Sequence, residues 1–65
     1  MNKVKGYRVM IGLTQEELAS IMGISRECLM RKENTDSFNE CEKIAITAIF
    51  NQRGLSLKQE DIFLN

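Results

Sequence analysis

Two helix-start signals joined by a short glycine-containing link constrain the fold of this chain more than any other feature. Thr14 and Glu17 form a Thr-x-x-Glu capping box, which begins a helix, and Ser25 supplies an N-cap hydroxyl for another. Gly23 stands where a left-handed residue ends the first of these helices. Because only residues 22–24 separate the two helices, we expect them to cross steeply as a helix-turn-helix pair.

The helical period also dominates the rest of the chain, where no strand-like alternation persists. It predicts a first helix over about residues 3–10 and a fourth over about residues 40–52. In the fourth helix the expected buried stripe is Cys41, Ile44, Ala45, Ala48 and Ile49. A Ser-x-x-Gln box at Ser56 predicts a short fifth helix that carries residues 57–63. The expected fold class is therefore all-α, a compact five-helix domain over residues 1–65.

The predicted core draws apolar residues from each helix. Leu18, Ile24 and Leu29 are expected to bury toward the first and fourth helices, and Ala19 is small where the paired helices cross. The remaining apolar positions of the first two helices are Val4, Tyr7, Met10, Ile11, Ile21 and Met22. This arrangement leaves one side of the third helix open, and the residues on it are Ser25, Arg26, Glu27, Met30, Arg31 and Asn34.

The residue inventory argues against catalytic and metal-binding functions. The chain has no His, the side chain best suited to move protons near neutral pH. Cys28 and Cys41 do not form the closely spaced pair of a zinc site, and no nucleophile stands with a base. We expect no enzyme activity, cofactor, metal or small-molecule substrate. No apolar run approaches the roughly 18 residues of a membrane span, so we expect a cytoplasmic protein without a membrane partner.

The formal net charge is zero, but the charges are unevenly distributed. Residues 1–32 carry six basic and three acidic side chains, whereas residues 33–65 carry three basic and six acidic ones. Such an asymmetry hints at one face that meets an anion, although a chain with so few charges also reaches it by chance.

The stretch Gly-Leu-Thr-Gln-Glu-Glu-Leu-Ala-Ser-Ile-Met-Gly-Ile-Ser-Arg, at residues 12–26, carries a family resemblance. It strongly resembles the Cro and repressor-type helix-turn-helix family of phage and bacterial transcription regulators, whose DNA-binding domain is lambda-repressor-like. Arg8, the Lys-Glu-Asn at residues 32–34 and the closing Ile-Phe at residues 62–63 extend the match more loosely. The resemblance implies a repressor that binds a palindromic double-stranded DNA operator as a homodimer, in the bacterial cytoplasm and on the nucleoid when bound.

The resemblance also implies roles for individual residues. The DNA base contacts fall to Arg26, Glu27 and Arg31, to which position and chemistry add Met30 beside a thymine methyl group. Gln15 matches a phosphate-binding position at a helix N-terminus. By position and charge, the further phosphate contacts are Ser25, Lys32, Asn34, Thr35, Lys3 and Lys5. Arg8 and Glu33 match a structural salt bridge. Lys32 and Thr35 depart from the family pattern, which has mostly apolar or aromatic residues and Gly there.

Several alternatives stay open at this level. Glu27 either accepts from cytosine or pairs with Arg31 one turn later and orients it. Cys28 is either a packing residue or, at a helix N-terminus, a redox-sensitive thiol. Dimerisation is expected through the fifth helix and the Phe63–Leu64 end. The other functions considered are an antitoxin-type autorepressor that also binds a toxin, and a protein-interaction module that kept the fold without DNA binding.

Overall fold

The computed structural model describes residues 2–63 and confirms the predicted all-α fold class. Its five helices are α1 (Val4–Met10), α2 (Gln15–Met22), α3 (Arg26–Thr35), α4 (Glu40–Gln52) and α5 (Gln59–Ile62). An isolated antiparallel bridge joins Asn2 to Phe63, and the backbone N–H of Lys3 donates to the carbonyl of Ile62 at 2.7 Å. None of the helices in this part of the chain is long and apolar enough to cross a membrane.

The helix-turn-helix pair forms where the local signals predict it. The Thr14 hydroxyl accepts from the backbone N–H of Glu17 at 3.0 Å, and the Thr14 N–H donates to the Glu17 carboxylate at 2.9 Å. Gly23 adopts a φ of 76°, a left-handed conformation that costs little without a Cβ. The Ser25 hydroxyl then accepts from the N–H of Cys28 and caps α3. The two helices pack against each other, as expected for this motif.

The core is a single cluster to which every helix and the intervening loops contribute. Its buried apolar residues are Val4, Leu13, Leu18, Ala19, Leu29, Phe38, Ile46, Phe50, Ile62 and Phe63. Leu18 and Leu29 are buried as predicted, and Ile24 is half-buried against the cluster. Ala19 is 2% exposed, in agreement with its expected place at the crossing of α2 and α3.

The predicted buried stripe of α4 is wrong. Ile46 and Phe50 are fully buried, one turn apart on the same side of the helix, whereas Ile44 is 57% exposed. Of the predicted stripe only Ile49 packs partly against the core, and the exposed members are Cys41, Ile44, Ala45 and Ala48. Both sets of residues follow the helical period, so the sequence offers two apolar sides. The core uses the side with Phe50, because that ring removes the most apolar surface from water.

Smaller differences from the predicted helices occur in α1, α2 and α5. Met10 and Ile21 are 67% and 47% exposed, and both were expected on buried stripes. The last helix does not begin at a Ser56 box. Instead the backbone N–H of Lys58 donates to the Asp61 carboxylate at 2.7 Å, so the helix is one turn long.

The closing residues of the described chain belong to the core rather than to an outer surface. Ile62 is fully buried and Phe63 is 3% exposed. The Phe63 ring packs edge-on against Phe38 with 5.4 Å between centroids, and the Lys43 ammonium lies 5.7 Å from its centroid. Dimerisation through this end is therefore not supported, because Phe63 has no apolar surface to offer. Leu64 lies outside the described residues.

Candidate nucleic-acid interface

The open side of α3 presents the residues expected to contact DNA bases. Arg26 and Glu27 occupy its first turn, and Met30 and Arg31 lie one turn further, so all four share one side of the helix. All four are exposed, with Met30 at 39%. The Ser25 hydroxyl holds the N-terminus of this helix in place by its N-cap bond. The structure therefore groups these side chains on one accessible surface.

Arg31 has neighbours that sequence reasoning did not anticipate. Its guanidinium Nη2 lies 3.6 Å from the sulfur of Cys28, on the preceding turn. Among the described side chains, Glu27 and Arg31 form no ion pair. In the free chain Arg31 therefore contacts half-buried Cys28 and not Glu27. The Thr35 hydroxyl donates to the backbone carbonyl of Arg31 at 2.7 Å and shares a hydrogen bond with Ser37.

A buried ion pair anchors the C-terminal half of α3 to α1, as the resemblance implied. Arg8 Nε donates to Glu33 Oε2 at 3.0 Å, and the two side chains are 7% and 4% exposed. Arg8 Nη1 also donates to the carbonyl of Leu13 at 3.0 Å, which ties the loop before α2 to the pair. Gln15 Nε2 donates to Glu33 Oε1 at 3.1 Å. Both carboxylate oxygens of Glu33 therefore have donors, one from α1 and one from α2.

The hydrogen bond to Glu33 gives Gln15 a partner within the chain. This side chain is also expected to bind a DNA phosphate, and one of its amide N–H groups is directed into the chain. An amide nitrogen carries two N–H groups, so a second donor remains for a phosphate. Gln15 is thus held in position by Glu33, a constraint that helix periodicity and charge alone do not reveal.

A shallow groove with basic residues lies beside the N-terminus of α2. Its lining residues are Lys5, Arg8, Thr14, Gln15, Glu16 and Arg26. Lys5 and Arg26 are exposed, whereas Arg8 is buried in its ion pair. Helix α2 contributes free backbone N–H groups at this end, which favour an anion. Lys5, which is expected to contact a phosphate, and Arg26, which is expected to contact a base, therefore line the same groove.

Lys32 does not extend toward an external anion. Its ammonium lies 3.2 Å from Glu42 Oε1 and donates to the carbonyl of Ser37 at 3.4 Å. The same Glu42 oxygen accepts from the backbone N–H of Asn39, which begins α4. In this structure the Lys32 charge joins the end of α3 to the start of α4, and its contact with a phosphate stays a prediction.

The other predicted phosphate contacts are exposed. Asn34 and Thr35 end α3, and Lys3 is the residue before α1. A residue that sequence reasoning missed, Asn2, joins the segment before α1 to the end of α3. Its side-chain amide donates to the carbonyl of Glu33 at 3.1 Å. No local pattern marks Asn2, since its partner lies 31 positions away.

The capping box of α2 also lowers the pKa of the Glu17 carboxyl. Hydrogen bonds from the Thr14 backbone N–H and, secondarily, its side chain hold the pKa of the Glu17 carboxyl below its ordinary value. Glu17 is thus kept ionised in the first turn of α2, where a negative charge stabilises the helix.

The thiols and acidic residues do not combine into a metal site. Within residues 2–63, no group of three or more His, Cys, Asp or Glu side chains is placed to hold a metal ion. Cys41 was expected in the core and is exposed instead, on the same outer side of α4 as Ile44.

Comparisons of the chain with models of protein families, with curated proteins and with solved structures found no match.

Proposed function

We propose that this chain is a sequence-specific, double-stranded DNA-binding transcription regulator in which α3 enters the major groove. The observation that carries the proposal is the exposed side of α3, where Arg26, Met30 and Arg31 stand together. The helix that bears them is capped at its start and fixed near its end by the buried Arg8–Glu33 pair. A helix held at both ends presents its side chains in one orientation, as base recognition requires.

The side chains on α3 have the chemistry for reading base edges. An Arg guanidinium can donate two parallel hydrogen bonds to guanine, and a Met side chain can pack against the thymine methyl group. Glu27 can accept from the amino group of cytosine, and its lack of an ion pair with Arg31 leaves it available for that contact. Each good base contact is worth about 1–3 kcal/mol of discrimination.

The groove beside α2 supports the proposal by offering a place for the DNA backbone. Lys5 and the free N–H of Gln15 flank the N-terminus of α2, and Ser25 lies at the N-terminus of α3. Cations and helix N-termini are the usual partners of phosphate oxygens and fix the register of a protein on the duplex. Arg26 of α3 lines the same groove, which supports base and backbone contacts that adjoin each other.

The resemblance of residues 12–26 to Cro and repressor-type regulators supports a more specific function. In this proposal the chain is a repressor of phage or bacterial origin, acting in the cytoplasm on the nucleoid. Two copies bind a palindromic operator with their α3 helices in successive major grooves, about 34 Å apart.

A protein-interaction module is the second candidate, and exposed apolar side chains favour it. Val9 and Met10 are 61% and 67% exposed at the end of α1. An antitoxin-type autorepressor combines both functions, since it would bind DNA through α3 and a toxin through another surface. Purification with a small partner encoded beside this chain would favour the antitoxin.

A salt titration of binding to duplex DNA tests the proposed function. Each phosphate neutralised by the protein should contribute about −0.9 to the slope of log K against log salt concentration. We expect a steep negative slope, together with enrichment of one palindromic sequence when bound fragments are selected from random DNA. A flat salt dependence would contradict DNA binding and leave the interaction module.

A further inference from the structure

The water-facing side of α4 is apolar although the core does not use it. Seven residues of this helix are exposed, and only Glu40 among them is charged. Four of the seven follow the helical repeat as one apolar strip, which we call the α4 face: Cys41, Ile44, Ala45 and Ala48. Ile44 exposes 57% of its surface. A solvent-facing side of a helix ordinarily carries charged side chains, so an uncovered α4 face is unfavourable in water.

The contrast with the other helices shows that this pattern does not arise from a shortage of charge. Charged residues make up 28% of the chain. On α2 the exposed side begins with Glu16 and Glu17, and on α3 it includes Arg26, Glu27 and Arg31. The α4 face alone among the longer helices combines high exposure with an apolar surface. None of the residues expected to contact DNA lies on it.

We propose that the α4 face binds the same face of a second copy of this chain, with the two α4 helices antiparallel about a two-fold axis. This inference names the partner surface of the proposed regulator, and its role on an operator rests on that proposed function. The small side chains of Ala45 and Ala48 allow the two helices to approach closely. Each Ile44 then packs over the small residues of the other copy, so one surface serves both sides of the contact.

The position of the one charged residue selects the antiparallel orientation. A parallel pair would bring the two Glu40 carboxylates together, and like charges repel. In an antiparallel pair centred between Ala45 and Ala48, the two Glu40 residues lie about 20 Å apart along the helices. Each then meets the C-terminal end of the other α4, where the Gln52 amide and the C-cap residue Arg53 are exposed and can donate to a carboxylate.

The size of the α4 face indicates a weak dimer in free solution. The helix has 13 residues. Its contact strip is therefore about 20 Å long and about 10 Å wide. Such a strip is well below the roughly 1,200 Å² of total buried surface found in stable complexes. Two copies on one palindromic operator are held close together, and that effective concentration would populate the contact.

Sedimentation equilibrium of the full chain without DNA tests the contact, with Ile44→Lys and Ala48→Lys as the variants. Both positions are exposed, so circular dichroism should show an unchanged fold. We expect reversible self-association of the wild type, with a dissociation constant that either variant raises tenfold or more. Met10→Lys is the matched control, since Met10 is equally apolar, 67% exposed and on α1. It should leave the association unchanged.

Two results would overturn the α4 contact. One is a wild type that stays monomeric at every concentration, both alone and on a palindromic operator. The other is an association that Met10→Lys weakens and Ile44→Lys does not. Neither result affects the salt dependence of duplex binding by a single copy, so failure of the contact is distinguishable from failure of the proposed function.

Disulfide cross-linking tests the orientation of the two helices. In a Cys28→Ser, Cys41→Ser background, Ala45→Cys places one thiol of each copy next to the two-fold axis, and mild oxidation should give covalent dimers. With Cys41 as the only thiol, the two sulfurs lie about 16 Å apart along the helices. A disulfide needs Cα atoms within about 7 Å, so no dimer should form. Efficient cross-linking through Cys41 but not through Ala45→Cys would contradict the antiparallel arrangement.

Discussion

Removal of the Arg8 charge should destabilise the whole domain, since it leaves the carboxylate of Glu33 buried without a cation. That carboxylate is on a side chain only 4% exposed, and it would keep a single donor, the amide of Gln15. Breaking a buried ion pair from one side costs about 3–5 kcal/mol. A domain of this length has a total stability of about 3–10 kcal/mol. We therefore expect Arg8→Met to lose a third or more of its free energy of unfolding.

A double-mutant cycle separates the ion pair from the other contacts of Arg8. Arg8→Met also leaves the carbonyl of Leu13 without its donor, which adds about 1–3 kcal/mol. This second loss is present in both chains that carry Arg8→Met, so it cancels in the coupling energy. The Arg8→Met, Glu33→Met chain has no buried charge at this place, and we expect it to be more stable than either single variant. The coupling energy should then reach about 3 kcal/mol.

Urea denaturation followed by circular dichroism measures all four corners of the cycle. Glu33→Gln provides a milder comparison, because a Gln side chain has one acceptor oxygen where Glu33 uses two. It should lose either the Arg8 or the Gln15 hydrogen bond and lie between wild type and Glu33→Met in stability. If the stability lost by the double variant equals the sum of the two single losses, the coupling energy is zero and the pair does not fix α3.

The remaining predictions concern DNA binding and the N-terminus of α2. Arg26→Ala and Arg31→Ala should each weaken operator binding by about 1–3 kcal/mol and relax the base preference in a competition gel shift; wild-type affinity in both would contradict the base contacts. Lys5→Ala should weaken binding to all sequences alike and make the log–log salt slope shallower by about 0.9, whereas an unchanged slope would remove Lys5 from the backbone contacts. Thr14→Ala should lower the free energy of unfolding in urea by about 1 kcal/mol, because the backbone N–H of Glu17 loses the hydroxyl that caps α2. The pKa of Glu17 is lower in the folded chain, so its stabilisation is complete above the unfolded pKa and disappears as the pH falls through the folded one. The difference in unfolding free energy between wild type and Glu17→Gln should therefore shrink as the pH falls across that acidic range. A constant difference would exclude the capping carboxylate as its cause.

Local signals account for the parts of the structure that the sequence predicts well. A capping box such as Thr14 with Glu17 closes its hydrogen bonds within one turn, and the left-handed turn at Gly23 depends on that residue alone. The helix-turn-helix pair follows from such short-range chemistry. The exposed side of α3 follows in turn, since burial of Leu18 and Leu29 fixes which side of the helix remains open.

The parts that the sequence does not predict depend on partners far along the chain. The choice between two apolar sides of α4 is made by where Phe50 finds room among the other helices. The local sequence of Lys32 does not predict that its ammonium lies beside Glu42, because that contact depends on the position of α4. Phe63 is likewise drawn inward by Phe38. In each case the energy gained by a long-range contact outweighs a local preference that is close to neutral.

The bridge between Asn2 and Phe63 has a consequence for the order in which the chain can fold during synthesis. The Lys3 N–H has its acceptor on Ile62, and the fully buried Val4 shares a core with Ile62 and Phe63. A nascent chain on the ribosome cannot complete this core until almost its last described residue has left the exit tunnel. Folding of this domain is therefore expected to wait until residues 62–63 have emerged, with α1 waiting longest for its partners.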